Sequence, residues 1–334
     1  MNLAVFTLNG SCFLILCFLI LSNFKRCTKN LQIFILCFTL SPLFIFVFRS
    51  PTGDLFVYTE IAKGLRRSGD FLYDIFTQLI YQISGNMYPL LIIIISIFIL
   101  KYLLIHKKEN IDFRVLLTLI IVDLIFFLPE RELAQFRHAA ALSLILISVY
   151  SDKRALKYLF FILAICFHLS TIVFVLKLFK RRRFFDNLFL PLFILCDFFV
   201  NKSNILSEFN RTARYLAYST DHAFVQTGNF YYLSLLLFIS CFLFLKSKKF
   251  LLTERQYQLI IISAVCFGLS FILRDYAIFS NRFFGAGIPF YVILTLLIFK
   301  NLYKFAPLAA LVAALFLLNG IINPNPVLER IIFN

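Results

Sequence analysis

Arginine is concentrated in loops of this chain where membrane proteins usually carry few cations. Short polar loops separate long apolar segments, and loops rich in lysine alternate with loops whose cations, apart from Lys63 and Lys202, are arginines. The arginine guanidinium is a planar fork that binds carboxylate or phosphate bidentately, whereas lysine offers a point charge. The arginine-rich side therefore predicts a site for an anionic ligand. Its arginines are Arg49, Arg66, Arg67, Arg131, Arg137, Arg211, Arg214, Arg274, Arg282 and Arg330.

Four of the residues in one loop, 201–229, combine cations with aromatic rings. Arg211, Arg214, Tyr215 and Tyr218 would share one face of a helix, because residues three and four apart are neighbours on a helical surface. Aromatic rings stack on apolar faces and on cations, and arginines bind anions. This face predicts a ligand that carries sugars and phosphates. The alternative is an aromatic and basic belt that anchors the loop to lipid headgroups.

His168 lies in an apolar segment, Tyr158–Phe179, that has basic clusters at both ends, at 153–157 and 180–183. A single crossing would leave one cluster on the wrong side of the membrane. A re-entrant hairpin that turns near 167–170 keeps both clusters cytoplasmic. Non-helical backbone at membrane depth is tolerated where it lines protein or a wet cavity, so His168 is predicted to face an internal aqueous site. The alternative is a plain span with His168 as a hydrogen-bonded core residue.

The elements that must position these residues are membrane helices. Hydrophobic residues make up 61% of the 334, and the mean hydropathy is +0.89. We therefore predict an all-α, polytopic integral membrane bundle of about 10–11 spans plus the hairpin, since one span needs about 20 apolar residues. The bundle would form a single domain over residues 1–334. Spans are predicted at 3–22, 31–48, 87–105, 114–129, 135–150, 187–200, 230–245, 256–273, 284–299 and 305–320.

The positive-inside bias places the lysine-rich loops in the cytoplasm and the arginine-rich loops outside. The net charge of +16 is then explained by contact with anionic headgroups, and it does not indicate a nucleic-acid partner. The basic loops are at 25–29, 106–108, 152–154, 180–183, 246–249 and 300–304.

The first long external loop, 49–86, is predicted to fold. Asp54 and Tyr58 lie one helical turn apart, and an apolar stripe interrupted at 66–70 indicates two amphipathic helices that lie at the membrane interface. The ion pairs predicted across the interruption join Asp70 and Asp74 to Arg66 and Arg67.

Several charged residues fall at membrane depth. Arg137 and Arg282 are predicted to open spans, where an unpaired charge costs roughly 2.5–3.5 kcal/mol. Both should therefore turn toward the protein interior. Asp123 and Asp197 lie within predicted spans and should have basic partners for the same reason.

Motifs in a characteristic order give the chain a family resemblance. They are Asp54-x-x-x-Tyr58, Tyr73-Asp74-Ile75-Phe76, Arg137-His-Ala-Ala-Ala, Phe167-His168-Leu169-Ser170 and Arg282-Phe283. With these motifs and its span layout, the chain resembles the EpsG-type branch of the Wzy polysaccharide polymerases, such as O-antigen polymerases.

The resemblance implies a glycosyltransferase of the bacterial inner membrane with its active site facing the periplasm. The substrates would be repeat units linked to undecaprenyl pyrophosphate. The partners would be membrane lipids and a chain-length regulator. The reaction would need no metal or other cofactor. Fixed cations would stabilise the pyrophosphate that leaves. The arginines that would bind the pyrophosphate are Arg137, Arg214 and Arg282, with Arg211 and Arg274 as second choices. His168 or Asp54 would act as the base, and His168 could instead bind a phosphate. The aromatic residues that would contact the substrate are Tyr58, Tyr215 and Tyr218.

Two other functions remain open at this point. A flippase or transporter of lipid-linked oligosaccharide would also use arginines, although along a central path. An O-antigen ligase or another polyprenyl-dependent glycosyltransferase would share an external site. The chain has no P-loop, GxGxxG, HExxH or GxSxG motif that would indicate other chemistry.

The hairpin is tested by placing an accessibility tag after Lys180. We expect the tag to react only after the membrane is permeabilised, because a hairpin keeps this cluster cytoplasmic. A tag in the loop 106–108 provides the cytoplasmic control. Labelling of the Lys180 tag in intact cells would replace the hairpin with a single crossing.

Overall fold

The structure is a computed structural model that describes residues 54–68, 70–113, 115–116, 119–120, 136–178, 191, 193–197, 228–246, 252–274 and 277–298. Every regular element in these ranges is a helix, and they contain no strand. The predicted all-helical class is thereby confirmed for this part of the chain. The α-helices are α1 (Asp54–Ala62), α2 (Phe71–Ser84), α3 (Tyr88–Glu109), α4 (Phe136–Tyr150), α5 (Arg154–Phe167), α6 (Gly228–Lys246), α7 (Glu254–Ile272) and α8 (Ala277–Ile298), and a 3-10 helix covers Leu169–Leu178.

The described residues fall into two compact units, one that ends at Thr171 and one that runs from Ile172 to Ile298. In the first unit, α4 packs against α3 and α5, while α2 contacts α1, α3 and α5. Every residue of α4 from Ala139 to Tyr150 is buried, so this helix forms the centre of the unit. Small side chains at 139–141 allow its neighbours to approach closely.

In the second unit, α7 packs between α6 and α8. Thr253 and Gln256 form a reciprocal capping box that starts α7. A Cβ atom at Gly287 of α8 would lie 2.8 Å from Cys266 Cβ, so glycine permits the close approach of α7 and α8.

Five predicted spans coincide with observed helices, those at 87–105, 135–150, 230–245, 256–273 and 284–299. By length and composition α3 and α7 are able to cross a membrane, and α4, α6 and α8 contain shorter apolar stretches. The spans predicted at 3–22, 31–48 and 305–320 lie outside the described residues, as do parts of 114–129 and 187–200.

The start of α8 differs from the prediction. The helix begins at Ala277, so Arg282 lies inside it, although the apolar stretch itself does begin at Arg282. Ser280 is buried and its hydroxyl donates to the carbonyl of Ser270 at 2.7 Å. Because α7 satisfies this polar side chain, the helix can extend beyond the apolar residues.

The two helices predicted in the first external loop are present as α1 and α2. Tyr73, Asp74 and Thr77 form the buried face of α2. The opposite face exposes the apolar residues Phe71, Leu72, Ile75, Phe76, Leu79 and Ile83. This distribution confirms the predicted amphipathic character of α2.

The ion pairs predicted within this loop are wrong. Arg66 lies 3.6 Å from Glu60, and the carboxylate of Asp70 instead contacts Arg137. Asp74 accepts the backbone N–H of Ser68 with both oxygens. Arg66 is more than half exposed, so its contact with Glu60 is solvated and weak, whereas a charge near the unit's interior needs a close partner.

Candidate active site

The candidate site lies in the first unit, where the start of α2, the start of α4 and the end of α5 meet. Three separate stretches of sequence supply it: Asp70 and Tyr73 from the loop, Arg137 and His138 from α4, and the Phe167–Ser170 segment. Direct contacts join all three.

Helix α5 ends at Phe167, and His168 interrupts the helical backbone before the 3-10 helix begins at Leu169. The backbone of His168 is extended (φ −154°, ψ 111°), and its N–H still donates to the Ala164 carbonyl at 2.9 Å. The His168 carbonyl accepts both the N–H of Thr171 at 3.0 Å and the Thr171 hydroxyl at 2.8 Å. The predicted break near 167–170 is therefore confirmed, and these hydrogen bonds satisfy the backbone groups that the interruption leaves without helical partners. The hairpin stays a prediction.

Asp70 joins the loop to both of the other stretches. Its Oδ2 lies 2.9 Å from Arg137 Nη1, and its Oδ1 accepts the backbone N–H of Leu169 at 3.1 Å. The side chains of Asp70 and Arg137 are only 13% and 17% exposed. At this depth screening by solvent is weak, so the pair contributes more to the local structure than a surface ion pair does.

Asp70 is itself held by the turn that precedes α2. Its backbone N–H donates to the Ser68 hydroxyl at 3.0 Å. The backbone N–H of Ser68 in turn lies 3.2 and 3.1 Å from the two carboxylate oxygens of Asp74, a buried side chain. The carboxylate that faces Arg137 is thus fixed by short-range bonds.

Aromatic rings form one wall of the site. The Arg137 guanidinium lies 5.3 Å from the centre of the Tyr73 ring, within cation–π range. Tyr73 makes edge contacts with Phe167 at 5.8 Å and with Tyr58 at 6.1 Å between ring centroids. Tyr58, predicted at the substrate, is buried and supports this wall.

The Tyr73 phenol is suited to donate a hydrogen bond and not to act as a base. Burial raises the pKa of Tyr73 to about 12, and the positive charge of Arg137 offsets this effect only in part. The phenol therefore keeps its proton at neutral pH. Within the described part of the chain, the Tyr73 hydroxyl and both Nε and Nη1 of Arg137 are buried and have no hydrogen-bond partner, although Nη1 forms the ion pair with Asp70.

Two histidine rings stand side by side in the site. The centroids of His138 and His168 are 4.8 Å apart, and the rings are almost perpendicular at 87°. Nδ1 of His168 is contacted by Ser170, whose hydroxyl lies at 2.8 Å and whose backbone N–H donates at 3.3 Å. The site therefore combines a guanidinium, a phenol and two imidazoles, groups that together can donate several hydrogen bonds to an anion.

Comparison with known proteins now decides the family. The EpsG family model matches residues 32–322, which include every residue of this site. The chain belongs to the EpsG family. This is the family of Wzy-like polysaccharide polymerases, and the family is associated with glycosyltransferase-like polymerase activity. No curated protein and no solved structure matches the chain.

Of the residues predicted to act in this EpsG chain, Tyr58, Arg137 and His168 are gathered in the first unit. Asp54 is the first residue of α1, and its side chain is outside the described part. The predicted ligands and aromatic companions Arg211, Arg214, Tyr215 and Tyr218 also lie outside the described residues, as does Asp123.

Arg274 and Arg282 belong to the second unit. Arg274 Nη1 lies 2.5 Å from Asp197 Oδ1 and 3.1 Å from the Phe271 carbonyl. The prediction that Asp197 has a basic partner is confirmed. Since Asp197 already engages this guanidinium, Arg274 has an evident structural use.

Sequence reasoning missed Asp70 and His138. The signal for Asp70 was present in the sequence. Arg137 lies at the start of a predicted span and needs a counter-ion, and the acidic residues of the first external loop were available as carboxylates. His138 directly follows Arg137, but a histidine beside a predicted ligand is common in a packed helix. Its place in the candidate site became visible only through its ring contact with His168.

The contribution of the Asp70–Arg137 pair can be measured with a double-mutant cycle of Asp70→Asn and Arg137→Gln. We expect a coupling free energy of about 1–3 kcal/mol in unfolding in detergent, because the two charges are largely shielded from water. The control is the exposed pair Glu60–Arg66, for which a cycle of Glu60→Gln and Arg66→Gln should give at most about 1 kcal/mol. Equal coupling in both cycles would contradict the proposed importance of Asp70.

Proposed function

We propose that this protein polymerises oligosaccharide repeat units carried on undecaprenyl pyrophosphate, at the periplasmic face of the bacterial inner membrane. The observation that carries the proposal is the meeting of Arg137, from the arginine-rich side, with the His168 break and the Tyr73 wall. The family supports a polysaccharide polymerase, and the apolar helices support a membrane location. The charge pattern of the loops supports a multi-pass topology with the site facing outward.

The reaction is a glycosyl transfer between two lipid-linked glycans. A hydroxyl of the acceptor repeat unit attacks the anomeric carbon of the growing glycan. A new C–O bond forms there while the bond to the pyrophosphate oxygen breaks. The hydroxyl proton passes to a base, and undecaprenyl pyrophosphate leaves with the electron pair of the broken bond.

Negative charge develops on the pyrophosphate as it leaves, and Arg137 is suited to stabilise this charge. Its position is set before substrate arrives, because the Asp70 carboxylate lies 2.9 Å from Nη1 and forms an ion pair with it. Asp70 contacts one nitrogen of the fork, and Arg137 Nε has no partner among the described residues. The guanidinium therefore keeps donors for phosphate oxygens in a site of low dielectric, where such donors are most effective.

Arg214 and Arg282 are proposed as further cations for the pyrophosphate beside Arg137, with Arg211 and Arg274 as second choices. Tyr215 and Tyr218 would stack against the sugars. His168 is proposed either as the base or as a phosphate ligand, with Asp54 as the second candidate base.

The apolar face of α2 supports contact with lipid. Phe71 and Ile83, at opposite ends of this helix, are 74% and 79% exposed, while the opposite face packs on the protein. A helix with this division lies in the membrane interface with its apolar face among acyl chains. The site at its start would then lie at the depth of lipid-linked pyrophosphate groups. A chain-length regulator is proposed as the protein partner.

Deletion of the encoding gene tests the function, with surface polysaccharide separated on a gel. We expect the ladder of long chains to collapse to a single repeat unit, because polymerisation fails while export and ligation continue. Loss of every unit from the lipid core would indicate a flippase or ligase instead. An unchanged ladder would overturn the proposal.

Arg137→Lys in the complemented deletion strain tests the guanidinium fork. The substitution keeps the charge and removes the bidentate geometry, so polymerisation should fall about a hundredfold, the scale typical of one lost transition-state donor. Arg67→Lys is the matched control, since Arg67 is exposed on the same loop side and should not respond. Both variants must accumulate in the membrane at normal levels on an immunoblot. A normal ladder with Arg137→Lys would remove Arg137 from the site.

A further inference from the structure

The Phe167–Ser170 segment determines which nitrogen of His168 carries a hydrogen. The backbone N–H of Ser170 points at His168 Nδ1 at 3.3 Å, and the Ser170 hydroxyl lies 2.8 Å from the same atom. A backbone N–H can only donate, so Nδ1 must be the acceptor. A neutral imidazole has one N–H, which in this arrangement belongs to Nε2.

The arrangement is fixed by the backbone on both sides of the ring. Leu169 donates its N–H to Asp70, and Thr171 binds the His168 carbonyl with both its N–H and its hydroxyl. These bonds hold the 168–171 turn, so the Ser170 N–H cannot swing away from Nδ1 without breaking them. On another side the His138 ring packs edge to face against His168.

We infer that His168 acts as a hydrogen-bond donor through Nε2–H to the pyrophosphate of the lipid carrier, and that Ser170 is the positioning residue that sets this tautomer. The inference rests on the proposed function and decides between the two roles given to His168 above. A base needs a lone pair at the nitrogen that meets the substrate, and Nε2 does not have one in this tautomer. The hydroxyl proton then passes to a carboxylate, for which Asp54 is the candidate.

Two substitutions at position 168 separate a donor from a base. The side-chain amide nitrogen of glutamine can occupy the place of Nε2, whereas that of asparagine can occupy only the place of Nδ1. In the complemented deletion strain, we expect His168→Gln to keep polymerisation within about tenfold of the native level and His168→Asn to lose about a hundredfold or more. Equal results for the two variants, whether active or inactive, would overturn the donor role. Immunoblots must show equal amounts of both variants.

The tautomer itself is measured by ¹⁵N NMR of histidine-labelled protein in lipid nanodiscs. The chain has 4 histidines, so the signal of His168 is identified by its loss in His168→Gln. We expect a protonated Nε2 and an unprotonated Nδ1 in the native protein. A protonated Nδ1 would overturn the inference regardless of activity.

Ser170 is tested by the same spectrum together with the ladder. Ser170→Ala removes the hydroxyl, one of the two groups at Nδ1, and keeps the backbone N–H. It should raise the population of the other tautomer and lower polymerisation about fivefold, which corresponds to the loss of one hydrogen bond. Ser170→Thr keeps the hydroxyl, so we expect the native tautomer and native polymerisation. Thr171→Val is the matched control, because it removes a bond of the same turn without touching Nδ1. An unchanged tautomer together with an unchanged ladder in Ser170→Ala, or the same change in Thr171→Val, would remove the Ser170 hydroxyl from the positioning role. The NMR spectrum reports the tautomer of His168 even if deletion of the gene leaves the polysaccharide ladder intact. Failure of the tautomer inference can therefore be distinguished from failure of the proposed function.

Discussion

The ion pair between Asp70 and Arg137 is the interaction on which the arrangement of the site depends. One carboxylate oxygen meets the guanidinium and the other meets the backbone N–H that follows His168. A loop residue thereby holds both the start of α4 and the break after α5. Without this carboxylate, Arg137 would carry an uncompensated charge near the interior and Leu169 would lose the acceptor of its N–H. The first loss is the costly one, because the Arg137 side chain is largely shielded from water, whereas Leu169 is exposed and water can bind its N–H.

Local signals made the helices predictable. Apolar segments can be recognised directly in the sequence, and five of them appear as helices, four of these close to the predicted bounds. The interruption at His168 was also predictable, from the basic clusters that flank its segment. The start of α8 was not, because Ser280 reads as a polar boundary until its bond to the Ser270 carbonyl is known. Composition cannot show which polar side chains a neighbouring helix satisfies.

The partners of charges were the part that sequence could not supply. Spacing along the loop favoured Arg66 and Arg67 as partners of Asp70, since residues close in sequence meet easily. The folded unit selects Arg137 instead, because an exposed arginine loses little without a partner and a shielded one loses much. Arg137 and His168 could be singled out individually, by depth and by flanking charge. Their meeting through Asp70 required the three-dimensional structure.

The same ion pair bears on how the site can recognise an anion. Asp70 cancels much of the net charge of Arg137, so attraction at a distance is weak and recognition must rely on directed donors. Arg137 Nε and the phenol of Tyr73 are such donors, and the pKa of about 12 keeps the phenol protonated. Donors fixed in advance need no reorganisation when charge develops on a leaving group, which is where they stabilise a transition state most. A carboxylate beside the arginine is thus consistent with catalysis, because it lowers the net charge of the site but fixes the position of the guanidinium donors.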